Sequence, residues 1–334
     1  MPDGKRGARC TACASADSGG ASDHRARAGA GSAAGGVGKE PTVISVIIPN
    51  LNSPRIAEVV VALERQTIRA QLTEVIVVGQ DREQLVPTWA WVRQYKCERP
   101  LSAAAARNVG ARLASGAYLC FLDADCIAAP HFLERLLERL QTGISLVGGS
   151  ITPELGDYWR LCDNLLVFAP SLATAAPGER RYLPSLNIML RRDLFMALGG
   201  FDEGFPGAAG EDIDFSLRLR NQGHTLWFEP EATIFHRPAR SSAASVATHL
   251  RNFGRVHVRL QREHQGRAAP RLGPHLRPWS GLLMALAPLL ALADALLLLW
   301  RNPALRRYWY CLPGLIWGKA AWYWGVVEGM LAVE

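Results

Sequence analysis

The sequence predicts an α/β domain on a mostly parallel, Rossmann-like sheet with flanking helices, followed by C-terminal hydrophobic helices. Three observations predict it. Apolar, largely β-branched runs at 43–49, 74–78 and 118–122 alternate with segments of helical spacing. The 118–122 run ends in two carboxylates, Asp123 and Asp125, one residue apart. Residues 279–300 are mostly Leu and Ala, with Trp at both ends.

At 334 residues and 49% hydrophobic content the chain can bury a sizeable core. The formal net charge is +7, but the excess is local. Arg251, Arg255, Arg259, Arg262, Arg267, Arg271 and Arg277 fall together just before the most apolar region. That placement points to a membrane surface rather than to nucleic acid. The seven cysteines are scattered and odd in number, so no disulfide framework emerges. Cys10 and Cys13 form a lone C-x-x-C without a second pair and read as incidental; a reducing, cytosolic setting fits. Residues 1–41 are rich in Gly, Ala, Ser and Arg and lack an apolar h-region. They read as a disordered tail and not as a secretory signal.

The elements follow in order over 42–240. Residues 43–49 form a buried parallel strand, and Asn50, Leu51 and Asn52 the loop after it. Over 54–66, Ile56, Val59, Val60 and Leu63 share one helical side. The 74–78 strand runs into Gly79, Gln80 and Asp81. Residues 103–114 read as an Ala-rich helix carrying Arg107 and Asn108 near its start, and Gly116 breaks it before the 118–122 strand. A helix at 130–140 and a strand at 145–150 come next. Alternation of this kind implies right-handed crossovers and a parallel sheet.

Chemistry concentrates in two acidic places. Asp123 and Asp125 share one face of an extended segment at the C-terminal edge of a strand, where open α/β sheets bind ligands. Like charges this close call for a cation, and Mg²⁺ or Mn²⁺ suits such oxygens; the plainer reading is a solvated acidic turn. The second place is Gly207-Ala208-Ala209-Gly210-Glu211-Asp212-Ile213-Asp214. Acidic residues in a first helical turn complement the dipole, which accounts for Asp214. Glu211 and Asp212, behind a glycine-rich approach, suit a general base toward a hydroxyl. His236 follows a strand; a lone His there is an ordinary structural residue, and its reading as a metal ligand rests on its company.

Residues 43–240 resemble the family 2 glycosyltransferases of GT-A fold. The resemblance lies in Ile48-Pro49-Asn50-Leu51-Asn52, Ala106-Arg107-Asn108-Val109-Gly110, Phe121-Leu122-Asp123-Ala124-Asp125 and Leu186-Asn187-Ile188-Met189-Leu190-Arg191-Arg192. It continues in Gly199-Gly200-Phe201-Asp202-Glu203 and Gly210-Glu211-Asp212-Ile213-Asp214, then His236. It implies a D-x-D motif in which Asp125 binds a divalent metal, Mg or Mn, and Asp123 contacts the donor ribose and the metal site. It implies Asp212 as catalytic base with Glu211 in support, and His236 completing the metal or diphosphate site. Pro49, Asn50, Asn52, Arg107 and Asn187 would line the donor pocket. An α-linked nucleoside diphosphate sugar would then give a β product by a single displacement. Relatives carry an acid directly after the second strand that reads the base; here Asp81 stands about two positions later, and a turn role for it is equally open.

Over 241–278, Val246, Leu250, Phe253, Val256 and Leu260 are near-helically spaced, opposite Arg251, Arg255, Arg259 and Arg262. This predicts a basic amphipathic linker helix, either on an anionic bilayer or docked on the catalytic domain. Residues 279–334 predict hydrophobic membrane-associated helices, two in number. The 279–300 stretch is long enough to span; 308–333 is poorer, with Lys319 and Glu328. Both could instead lie in the interface. The expectation is an inverting glycosyltransferase at the inner membrane, facing the cytosol, with a lipid-linked or polysaccharide acceptor and no nucleic-acid partner. The rival is a non-catalytic nucleotide-sugar-binding or scaffold protein on the same fold. Neither a G-x-G-x-x-G after the first strand nor a P-loop is present, which argues against a dehydrogenase or NTPase.

Overall fold

A computed structural model describes residues 43–205, 209–264 and 279–332. The 1–41 tail, residues 265–278 of the basic linker, and Gly207 and Ala208 of the second acidic motif lie outside the described residues. Thr42–Glu334 makes one compact unit.

The N-terminal half forms the predicted parallel sheet. Strand β1 (Ile44–Leu51) is flanked by β2 (Leu72–Gln80) and β4 (Tyr118–Leu122), and β3 (Val92–Lys96) lies outside β2, all parallel. Helix α1 (Ile56–Glu64) connects β1 to β2, and α2 (Ala103–Leu113) connects β3 to β4. Side-chain alternation sorts the core. Ile44, Val46 and Ile48 of β1 join Cys120 and Leu122 on one face; Ile47 joins Leu119 and Phe121 on the other. Strand β1 runs past Pro49 through Asn50 to Leu51, so Asn50 and Leu51 are strand residues and not the expected loop.

Beyond β4 the sheet turns mixed. Strands β5 (Cys126–Ala128), β6 (Leu146–Pro153), β7 (Gly178–Glu179), β8 (Asn187–Arg191) and β9 (Leu226–His236) extend it to the order β3-β2-β1-β4-β8-β6-β9-β5, with β7 on β9. Strand β8 is antiparallel to both β4 and β6, while β6 and β9 are parallel. Helices α3 (Phe132–Gln141), α4 (Tyr158–Phe168), α5 (Arg192–Ala197) and α6 (Glu211–Asn221) cover it. Phe121, Phe195, Phe201 and Phe215 form an aromatic cluster with centroids 5.0–5.3 Å apart. Each such pair contributes about 0.5–1.5 kcal/mol beyond burial. The cluster pins the Gly199-Gly200-Phe201 turn against β4 and α6.

Helix α7 (Ala243–Glu263) opens with a capping box between Ser242 and Ser245. It occupies the front of the predicted linker, and three of its arginines have acidic partners. Arg251 and Arg255 pair with Glu328, and Arg259 pairs with Asp202 and Glu263. The apolar side of the helix, with Val246, Leu250, Val256 and Leu260, is buried in the protein.

Helix α8 (Ser280–Arg301) is the single described helix long and apolar enough to cross a membrane. It buries Ala287, Ala291, Ala295 and Leu299 at four-residue spacing and exposes Leu286, Leu289, Leu292 and Leu296. A 3₁₀ stretch, Pro303–Cys311, leads into α9 (Leu312–Leu331). Helix α9 packs on α7 almost backbone to backbone. A Cβ on Gly254 would lie 2.1 Å from the Trp322 carbonyl, and one on Gly325 would lie 1.9 Å from that of Arg251.

Candidate active site

The strand ends β1, β2 and β4 open into a cleft of about 840 Å³ whose lining includes Pro49, Asn50, Asn52, Asp123 and Asp125. The asparagines tie the strand ends together. Asn50 donates to the Gln80 carbonyl at 2.9 Å and accepts from the Ser53 amide at 3.0 Å. Asn52 accepts from the Arg82 amide at 2.9 Å. Asp81 does not line this cleft. Its carboxylate accepts from the Leu85 and Val86 amides at 2.9 and 3.0 Å and from Gln94 at 3.3 Å, so it caps the loop after β2. These bonds are of the kind a turn residue makes.

Asp123 and Asp125 leave β4 in different company. Asp125 faces His236, whose Nε2 is 3.8 Å away, and the Cys126 Sγ, 3.6 Å away. These groups, with ligand atoms within 4.8 Å of one another, are the described residues that could gather on a metal ion. His236 is buried at the end of β9, and burial holds its pKa below the ordinary value. Its Nδ1 lies 2.7 Å from Asn164 Oδ1, and the Asn164 amide donates to the Arg160 carbonyl at 2.9 Å, which fixes the amide orientation. A neutral imidazole therefore donates from Nδ1 and turns the Nε2 lone pair toward Asp125. Carboxylate and imidazole lone pairs facing each other suit a divalent cation. The Cys126 thiol is pushed well above its usual range by burial and by Asp125 and Asp123, so it stays protonated.

Asp123 is turned the other way. It accepts from Arg107 Nη2 at 2.6 Å, and Arg107 Nη1 donates to Glu211 Oε1 at 2.9 Å. Arg107 is 2% exposed. Burial disfavours its charge, but Asp123 and Glu211 outweigh that and keep it cationic. The next residue, Asn108, accepts from the Phe201 amide at 2.9 Å and donates to the Phe201 carbonyl and Glu203. Two adjacent residues of α2 thus hold two separate motifs in place.

Gly210 caps the start of helix α6, and its φ of 93° is left-handed backbone that glycine adopts without strain. A Cβ there would also lie 2.2 Å from Val256 Cγ1. Burial, then the neighbouring Asp212, pushes Glu211 up to about 7, and burial raises Asp212 as well. Glu211 Oε2 has no partner among the described residues. Asp212 accepts from the Ser185 and Ile213 amides at 3.2 and 2.8 Å. It faces a second cavity, of about 420 Å³, walled by α7, α9 and residues 166–184. Asn187 is fully buried, opposite Leu122 in register and 3.4 Å from the Ser150 carbonyl; it lines neither cavity.

Sequence reading missed Asn164 beside His236 and the arginines Arg160, Arg237 and Arg240 that line the cleft at Asp125. Arg240 is held there by Asp163, which also accepts from His249. No spacing signal links α4 to the end of β9, so only the fold reveals them.

The sheet and its acidic strand end are of the GT-A class. The crystal structure of GalNAc-T7 with UDP, GalNAc and Mn²⁺ is similar in fold, with a TM-score of 0.51 at 21% identity over 66% of this chain and 48% of that one. Residues 45–199 match the model of glycosyl transferase family 2. Glycosyltransferase AglE of Haloferax volcanii is 27% identical over 209 residues, 59% of this chain and 67% of that protein. Succinoglycan biosynthesis protein ExoM of Rhizobium meliloti is 34% identical over 166 residues, 47% of this chain and 52% of that one. O-antigen biosynthesis protein RfbC of Myxococcus xanthus is 26% identical over 229 residues, 61% of this chain but 18% of that one. The chain thus spans about half of ExoM and a small part of RfbC. Glu211, Asp212 and α7–α9 fall beyond the matched residues.

Proposed function

We propose that the protein is an inverting, metal-assisted glycosyltransferase, moving a sugar from a nucleoside diphosphate donor to a hydroxyl of a lipid-linked or polysaccharide acceptor. It works at the cytosolic face of the inner membrane. The observation that carries the reading is Arg107, which joins Asp123 of the donor cleft to Glu211 beside Asp212.

In this reading the donor diphosphate lies at Asp125 and His236, with Asp123 toward the ribose. A divalent cation, Mg²⁺ or Mn²⁺, supplies positive charge to the departing diphosphate when bound there. Asp212 takes the proton of the acceptor hydroxyl. The hydroxyl oxygen bonds to the anomeric carbon as the bond from that carbon to the diphosphate oxygen breaks, and the nucleoside diphosphate leaves with the electron pair. Attack from the opposite face inverts the configuration. The names of ExoM and RfbC support a surface-polysaccharide acceptor. The exposed leucines of α8 support membrane attachment.

The test is binding of a panel of nucleoside diphosphate sugars to the detergent-solubilised chain, with and without Mn²⁺, beside Asp125→Ala. Metal-dependent binding of one donor, lost in the variant, is expected. Binding by the folded protein that ignores both metal and Asp125 would favour the non-catalytic scaffold reading.

A further inference from the structure

The family match ends at residue 199, yet Asp212 opens into a cavity whose far walls come from α7 and α9. These walls are apolar, with Leu250, Phe253 and Val256 from α7 and Trp322 from α9. Set into them are His257 and Lys319, donors of hydrogen bonds or positive charge, and Arg181 also lines the cavity. Arg181 is exposed and has no acidic partner among the described residues. Lys319 has a single distant one, Asp294 at 3.6 Å.

We infer that this cavity is the acceptor site and that it takes a saccharide carried on a phosphorylated lipid. The inference rests on the proposed transferase reading and adds the acceptor's chemical class. A saccharide alone would meet mostly hydrocarbon here. A phosphate between Arg181, His257 and Lys319 finds charge-assisted donors, two of them on the helices that wall the cavity. A lipid tail finds a continuation of that wall. The helix that supplies Lys319 and Trp322 also exposes Trp317 and Trp324, and it packs on α8 with its exposed Leu289 and Leu296. Asp212 shares the cavity with the cationic groups, so the reacting hydroxyl belongs to a sugar close to the lipid phosphate. A volume of about 420 Å³ is within the range of small-ligand sites.

The test uses the full chain in detergent micelles with EDTA, which denies a diphosphate its metal in the donor cleft. Farnesyl diphosphate is the probe, with farnesol and inorganic diphosphate as the two halves of its chemistry; binding is read by calorimetry. The expected result is binding of farnesyl diphosphate well above either half, weakened about tenfold or more by Arg181→Ala or His257→Ala and partly restored by Arg181→Lys. Arg181 is at the surface, so its loss leaves the fold intact. No binding by the native chain, equal binding by the variants, or equal binding of inorganic diphosphate would each overturn the inference. Mn²⁺-dependent nucleoside diphosphate binding is measured alongside. Its presence when farnesyl diphosphate fails removes the acceptor inference and leaves the transferase reading standing; its absence counts against that reading separately.

Discussion

Arg107 and Glu211, on α2 and α6, form an ion pair at 2.9 Å in which the side chains are 2% and 3% exposed. The same guanidinium holds Asp123 at 2.6 Å. A buried cation shared in this way does more than neutralise charge. It fixes the distance between the end of β4 and the start of α6, elements that are not adjacent in the sheet or the chain.

Removing that cation should be costly. Arg107→Ala leaves Glu211 buried and uncompensated, and breaking a buried pair from one side costs about 3–5 kcal/mol. Arg107→Lys keeps the charge but loses the planar fork that reaches two carboxylates, so an intermediate loss is expected. Urea unfolding of the solubilised protein measures both. A loss for the alanine variant below about 1 kcal/mol, the worth of a surface pair, would contradict the buried bridge.

The acidic cluster should also give stability a pH slope. One guanidinium faces Asp123, Glu211 and Asp212, so compensation is incomplete. Burial, with Asp212 beside it, raises Glu211 from 4.5 to about 7. A carboxyl with a raised folded pKa binds more protons in the native state than in the unfolded one. Its contribution is present at low pH and is lost as pH rises through that window. Unfolding free energy should therefore fall between pH 4.5 and 7, and Glu211→Gln should flatten the fall. Equal slopes in the native protein and the variant would mean that Glu211 stays ionised throughout.

Asn164 should matter to metal binding although it ligates nothing itself. It accepts from His236 Nδ1 at 2.7 Å and so presents Nε2 to Asp125. Losing such an orienting partner weakens metal affinity about 10–100-fold. Asn164→Ala should weaken Mn²⁺ binding by that much, read by electron paramagnetic resonance of the free ion, while Asn164→Asp, which keeps the acceptor oxygen, should hold it. Unchanged Mn²⁺ affinity in the alanine variant would remove Asn164 from the site.

How much of this the sequence reveals depends on whether the signal is local. The strands β1, β2 and β4 are continuous buried runs, and each is found where the apolar pattern puts it. Strand β3 escapes because it lies at the sheet edge, half exposed, and reads Val92-Arg93-Gln94-Tyr95-Lys96 without a buried face. The antiparallel β8 escapes as well, since strand direction is a property of the connections and not of the run. Asp123, Asp125, Arg107 and Glu211 stand in recognisable motifs, but that Arg107 bridges two of them depends on α2 and α6 meeting in space. Asp81 is a second such case. Its position after β2 is plain in the sequence, but its hydrogen bonds to the Leu85 and Val86 amides and to Gln94 of β3 are not.

The last prediction concerns α7 and α9, which the sequence presents as a linker and a membrane segment. Their backbones meet at Gly254 and Gly325, where any Cβ would collide with a carbonyl that cannot move aside. Arg251 and Arg255 then close on Glu328 across the same interface. If this packing holds the C-terminal helices to the catalytic domain, a protease site introduced between residues 264 and 279 should yield two fragments that co-elute in detergent. Gly325→Leu should release them, since overpacking at such a contact costs about 1–3 kcal/mol or more. Because α7 and α9 wall the cavity of Asp212, the same variant should lose transfer while retaining Mn²⁺-dependent donor binding in the cleft beside Asp125. Fragments that separate without the substitution would show a tether between independent units. A variant that loses donor binding along with transfer would show that the two cavities are not held by separate parts of the chain.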